Sequence, residues 1–206
     1  MNWINFFDGI YCINLAKRQD RLIEFTEEAE KYSIPFELIT AIEHSQGAEG
    51  LRLTIEKIFE NAIEKNYEQI LIFEDDCVMT QGIEIFHDTM NNAIKQLPKN
   101  WDIMYLSGQV TCGFKYRHSA NLLQLDGCFA THSWAISLQG MKEILSQGLY
   151  APIDNCLVDR IQKLQRCYIT YPILTTQRAG TSDIGGQYIE WDKFITPRYY
   201  QKLAEL

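Results

Sequence analysis

The sequence predicts an α/β fold with a mostly parallel central sheet flanked by helices and a small antiparallel insertion. Three observations predict it. Short apolar runs alternate with stretches of helical period, the pattern of strands joined by crossover helices. The run "QILIF" ends abruptly on three adjacent carboxylates, Glu74, Asp75 and Asp76, as a strand reaching the ligand-binding edge of such a sheet does. After "WDIMYLS" the helical period lapses and shorter runs follow, with turn residues between them, which marks the antiparallel insertion.

The first strand is "GIYCIN", and the stretch from Asp20 to Lys31 follows as a helix with Leu22, Phe25 and Ala29 on one face. "FELIT" is the second strand. From Leu51 to Lys65 the residues Leu51, Ile55, Ile58, Phe59 and Ala62 recur at helical spacing and feed the strand "QILIF". The next helix runs from Ile83 to Leu97, with Phe86, Met90, Ala93, Ile94 and Leu97 inward and Pro98 beyond its end. "WDIMYLS" is again a strand; "VTCGFKY", "LLQLDG" and "THSWAIS" are the shorter ones. Helices follow at Gln139 to Gln147 and Asn155 to Leu164, then the glycine-bearing loop "QRAGTSDIGGQ" and a terminal helix. Without repeats, low-complexity tracts or a linker, residues 1–206 are expected to form a single domain.

Composition narrows the function. The chain of 206 residues is 46% hydrophobic and 22% charged, which fits a globular protein and neither a fibre nor a disordered chain. Its 19 basic and 27 acidic residues give a net charge of -8, which argues against a general nucleic-acid binder. Lys17, Arg18 and Arg21 form a local basic exception. "MNWINFFDGIYCINLAK" lacks the basic start of a secretory signal, and no apolar run reaches the roughly 20 residues of a membrane helix. The expectation is a soluble, cytoplasmic protein with at most peripheral membrane association. The six cysteines are scattered, without Cys-x-x-Cys or Cys/His pairs, so neither a zinc site nor a disulfide framework is indicated. Most are expected to be reduced core thiols; a bridge from Cys112 to Cys128 would need an oxidising compartment.

The repulsion among Glu74, Asp75 and Asp76 has two explanations. Either a bound cation offsets it, or the strand end is simply solvated. Hard divalent cations favour carboxylate oxygens and are commonly shared between one or two protein carboxylates and a substrate diphosphate.

The surrounding segments favour the first. "YCINLAKRQDRL", "GAEGLRLTIEKIFENAIEKNYEQILIFEDDCVM", "WDIMYLSG", "THSWAIS", "PIDNCLVD" and "QRAGTSDI" resemble, in the same order, the blocks of glycosyltransferase family 25, the lipooligosaccharide and collagen sugar-transferase group. The resemblance implies a GT-A type nucleotide-diphospho-sugar transferase fold carrying a DxD-type motif. It also implies metal-dependent, inverting transfer of a hexose, galactose or glucose, from a UDP-sugar to a hydroxyl of a glycan or glycolipid acceptor, as in LPS biosynthesis. Asp76 would then coordinate Mn²⁺ or Mg²⁺, while Glu74 and Asp75 hold the ribose or the metal's waters. Asp154 matches the Pro-x-Asp block and is the candidate general base, with Asp159 as fallback. Two departures stand out. The second helix begins with Gly50, Leu51, Thr54 and Ile55 where the family often has Gly-Cys and Ser-His, and no histidine follows His132, so Asp183 is the available second metal ligand.

Position supplies further candidates, each with a plainer role beside it. Asn14, Arg18 and Arg21 sit just past the first strand, where a nucleotide would approach. Arg21 suits a bidentate phosphate contact, or a helix-surface ion pair with Asp20 or Glu24. Asp154 also stands where a helix N-cap should stand. Gln177, Ser182 and Asp183 lie in a loop able to fold over a diphosphate, or to remain an ordinary surface loop. Trp134 and His132 are core residues by default, with sugar stacking the alternative for Trp134. A sugar nucleotidyltransferase, or a non-catalytic nucleotide-sugar-binding module, are the competing functions; for the first, the glycine-rich basic loop is missing.

Overall fold

The computed structural model describes residues 2–110 and 114–190; the expected terminal helix and Cys112 lie outside them. In chain order the elements are β1 (Gly9–Asn14), α1 (Gln19–Lys31), β2 (Glu37–Thr40), α2 (Gly47–Glu64), β3 (Gln69–Glu74), β4 (Cys77–Met79) and α3 (Ile83–Gln96). There follow β5 (Ile103–Tyr105), β6 (Gln109–Val110), β7 (Phe114–Arg117), β8 (Leu122–Leu125), β9 (Cys128–Phe129) and β10 (Ser133–Ser137). The described chain ends with α4 (Leu138–Gln147), α5 (Ile153–Arg160), β11 (Cys167–Thr170), β12 (Thr175–Gln177), β13 (Gly180–Thr181) and β14 (Tyr188–Ile189).

The central sheet has eight strands in the order β2-β1-β3-β10-β5-β11-β8-β7. β2 and β3 flank β1 in parallel, and β11 is parallel to β5. β10 runs antiparallel between β3 and β5, and β8 runs antiparallel between β11 and β7. Most strands therefore point one way, as expected. The antiparallel strands are woven into this sheet, with β10 at its centre, and three two-stranded pairs (β12-β4, β6-β9 and β13-β14) supplement it.

Strand alternation divides the core into two layers. Tyr11, Ile13, Ile70, Ile72, Ile103, Tyr105, Trp134 and Ile136 face α2, α4 and α5. Ile10, Cys12, Leu71, Phe73, Met104 and Ala135 face α1 and α3. Phe25, Phe59 and Phe86, all fully buried, anchor α1, α2 and α3, each contributing about 1.5–3 kcal/mol by leaving water. Trp134 is fully buried between Phe59 and Tyr105, so it is a core residue and not a sugar platform. Cys12, Cys77, Cys128, Cys156 and Cys167 are buried free thiols. Among the described residues no helix is long and apolar enough to cross a membrane.

Two helix starts differ from the sequence expectation. α2 begins at Gly47, a turn before Leu51, because glycine permits two close approaches there. A Cβ on Gly50 would lie 2.4 Å from the Ile42 carbonyl oxygen, and one on Gly47 would lie 2.6 Å from that of Asp183. α5 begins at Ile153 with Pro152 as its N-cap, so Asp154 sits inside the first turn and is not the cap. The same helix stops at Arg160 and continues as a 3-10 turn, Gln162–Leu164. There the Gln162 side chain turns inward to the Cys128 backbone and the Tyr105 hydroxyl.

Candidate active site

Topology gathers the candidate residues. β1 and β3 are adjacent and parallel, with Ile13 opposite Glu74, so both strands end on the same sheet edge. β10 runs the other way, which brings the residues before it, Ala130 and Thr131, to that edge. The hydrogen bond from the Ala130 N–H to Asp154 Oδ2, 2.9 Å long, fastens the start of α5 beside them. Together they border a cavity of about 400 Å³ whose walls include Glu74, Asp75, Asp76, Arg21, Asp154 and Gln177. Ile13, Leu15, Ala41, Ile42 and Leu51 line its apolar part.

Each carboxylate has its own surroundings. Asp75 accepts a hydrogen bond from Asn14 Nδ2 at 2.7 Å and one from Arg21 at 3.2 Å. Asp76 Oδ2 lies 3.4 Å from the same arginine nitrogen, whereas Asp76 Oδ1 is buried without a hydrogen-bond partner. Glu74 Oε1 accepts from the Thr131 hydroxyl at 2.7 Å, and Asp154 Oδ1 lies 3.3 Å from that hydroxyl. Arg18 is paired with Asp183 and Asp20, and Arg21 also donates to the Thr181 carbonyl at 2.8 Å. The loop around β13 is thus tied to the start of α1.

The negative charge is in excess. Burial, reinforced by Asp76, pushes Glu74 up to about 8 despite the Thr131 hydrogen bond. Burial likewise pushes Asp76 up to about 6 against the pull of Arg21. Asp75 is raised by burial, with Arg21 and Asn14 opposing. Asp154 is raised by burial, against the Ala130 N–H and the Thr131 hydroxyl. Burial disfavours anions, and one guanidinium does not offset several of them.

Most residues expected from the sequence meet here. Glu74, Asp75, Asp76, Arg21, Asp154, Gln177, Ser182 and Asp183 line the cavity. Asn14 stands behind Asp75 and positions it, and Arg18 works through Asp183. Asp159 does not join them; it is exposed and bonded to the Tyr150 hydroxyl, with Lys163 3.9 Å away. Sequence reasoning missed Thr131, which bridges two carboxylates, and the segment Ala41–His44, which forms a cavity wall with the start of α2. The paired glycines Gly47 and Gly50, in "GAEG", were the one signal that something packs closely there.

The residues fit a hard divalent cation of the kind that a diphosphate brings with it. Such ions need only one or two protein carboxylates when phosphates supply the remaining oxygens, and Asp76, which borders the cavity, has one buried oxygen, Oδ1, without a hydrogen-bond partner. Among the described residues, no three His, Cys, Asp or Glu side chains converge as a ready-made metal cluster.

No protein-family model matches the chain. Solved structures do resemble it. A197 from STIV is 14% identical with a TM-score of 0.51, over 88% of this chain and 92% of that one. A glycosyltransferase involved in the glycosylation of the major capsid of PBCV-1 is 16% identical with a TM-score of 0.50, over 78% and 79%. A mutant of the Drosophila β1,4-galactosyltransferase 7, in complex with manganese, UDP-Gal and xylobiose, is 12% identical with a TM-score of 0.51, over 96% and 74%. At these identities the likeness concerns the fold: the chain has the GT-A type architecture found in nucleotide-sugar transferases.

Proposed function

We propose that the chain is a glycosyltransferase of the family 25 type, a single domain that moves a hexose from a UDP-sugar to a hydroxyl of a glycan acceptor, with inversion and with Mn²⁺ or Mg²⁺ bound. The observation that carries this reading is the end of β3. Three carboxylates border one cavity there, their charge exceeds what Arg21 offsets, and one oxygen of Asp76 has no partner.

Asp76 would hold the cation together with diphosphate oxygens. When bound, the ion supplies electrostatic stabilisation of the departing diphosphate. The other roles belong to the chain itself. Arg21, which lines the same cavity, would contact phosphate. The apolar wall from Ile13 to Leu51 accommodates the base. Asp154 takes the proton of the acceptor hydroxyl as its oxygen bonds to the anomeric carbon; the bond from that carbon to the diphosphate breaks, and UDP leaves with the electron pair. Burial raises the basicity of Asp154 above that of an ordinary carboxylate, which suits a general base. The loop carrying Ser182 and Asp183 shields the site from water, which would otherwise consume the donor.

Calorimetric titration of UDP, with and without Mn²⁺, into wild type and Asp76→Asn tests this. Wild type should bind UDP tightly only with Mn²⁺, and Asp76→Asn should lose that dependence while melting as a folded protein. Equal, metal-independent binding by both would sink the proposal. Binding of the UDP-sugar with neither hydrolysis nor transfer would favour the binding module, and formation of a sugar nucleotide from a nucleoside triphosphate and a sugar phosphate, with diphosphate released, would favour the nucleotidyltransferase.

A further inference from the structure

We infer that the side-chain oxygen of Gln177 is a second protein ligand for the divalent cation, paired with Asp76; the inference rests on the transferase reading above. Gln177 closes β12, where it sits opposite Cys77 on β4. The backbone N–H of Arg178 donates to the Asp76 carbonyl at 2.7 Å. The end of β12 is therefore clamped to the turn that carries the carboxylates. Gln177 is only 7% exposed and lines the cavity. Its Oε1 is buried without a hydrogen-bond partner, as is Asp76 Oδ1.

Leaving a buried acceptor unpaired is costly, and each such atom calls for an explanation. Here two of them belong to residues that adjoin and border the same cavity. Both orphans are acceptors, so whatever joins them is electron-poor. The carboxylates of Glu74, Asp75 and Asp154 nearby favour a cation over a neutral donor. Carboxylate and amide oxygens together are the donors that hard divalent ions take. Asp183, the candidate from sequence alone, is engaged by Arg18 and Arg21 instead.

The test is an electron paramagnetic resonance titration of Mn²⁺ in the presence of UDP, on wild type, Gln177→Met and Gln177→Glu, with melting temperatures measured alongside. Gln177→Met, similar in length but without the oxygen, should weaken Mn²⁺ binding by about 10- to 100-fold, the range for losing a supporting partner of a metal. Gln177→Glu should keep or tighten it. If Gln177→Met binds Mn²⁺ as wild type does, the inference falls and the transferase reading stands. A Gln177→Glu chain that binds more weakly than wild type overturns it independently, because Gln177 would then serve only as an N–H donor to Asp76. A wild-type chain that retains no Mn²⁺ with UDP overturns both.

Discussion

The Thr131 hydroxyl donates to Glu74 Oε1 over 2.7 Å, and Asp154 Oδ1 lies 3.3 Å from the same hydroxyl. One hydroxyl has one proton to give, so two half-buried carboxyl groups compete for it. Thr131→Val keeps the shape of the side chain and removes the donor. The variant should lose about 1–3 kcal/mol, the cost of an unsatisfied buried acceptor. Urea denaturation at neutral pH measures this, and a midpoint equal to that of wild type would show the hydroxyl to be dispensable.

Arg21 offers a second measurement, because it is the cation that contacts both Asp75 and Asp76, at 3.2 and 3.4 Å. Removing one partner of a buried pair leaves uncompensated charge and costs about 3–5 kcal/mol. Arg21→Met should therefore melt well below wild type. Mn²⁺ should recover more of that loss in the variant than it adds to wild type, since it replaces the missing positive charge. Thermal melts with and without Mn²⁺ provide the comparison; equal metal shifts in the two proteins would contradict it.

His132 governs an acid-side effect. Fully buried and bonded through Nε2 to the Ser107 hydroxyl at 2.7 Å, it is pushed by burial from 6.5 down to about 3. Its folded value is depressed, so its contribution to stability is present above the unfolded value of 6.5 and is lost as pH falls toward about 3. The melting temperature of wild type should fall more steeply across that window than that of His132→Asn. Parallel slopes for the two proteins would mean that the imidazole is protonated in the folded state.

Much of this was legible in the sequence because it depends on local pattern. "GIYCIN" and "QILIF" are buried on both faces and read as strands, and the switch from such a run to Glu74, Asp75 and Asp76 located the sheet edge. Period alone could not reveal pairing. "SWAIS" reads as a strand, but its place between β3 and β5 depends on contacts across the chain, and it is that placement that brings Thr131 to Glu74. The plainer role that the sequence offers Asp154 beside that of general base is a helix cap, yet Pro152 is the N-cap of that helix and the carboxylate turns to Ala130 instead. Ala130 itself has a φ of 78°, a left-handed conformation that alanine does not advertise.

That bond gives Asp154 a structural task beside the proposed chemical one, and two substitutions separate them. Asparagine retains an oxygen for the Ala130 N–H, whereas alanine leaves that buried donor unpaired. Asp154→Ala should accordingly lose about 1–3 kcal/mol. Asp154→Asn should not, and the sign can be worked out. Burial raises the carboxyl above its ordinary 3.8, so its contribution is present below that value and is lost as pH rises through the folded one. At neutral pH wild type carries the burden of a buried anion that asparagine lacks, and Asp154→Asn should melt at least as high as wild type. If Asp154 is the base, transfer to the acceptor should nevertheless drop roughly 10²- to 10⁴-fold, with Mn²⁺-dependent UDP binding retained. A stable Asp154→Asn chain with full transfer activity would remove Asp154 from the chemistry and leave it only the Ala130 contact.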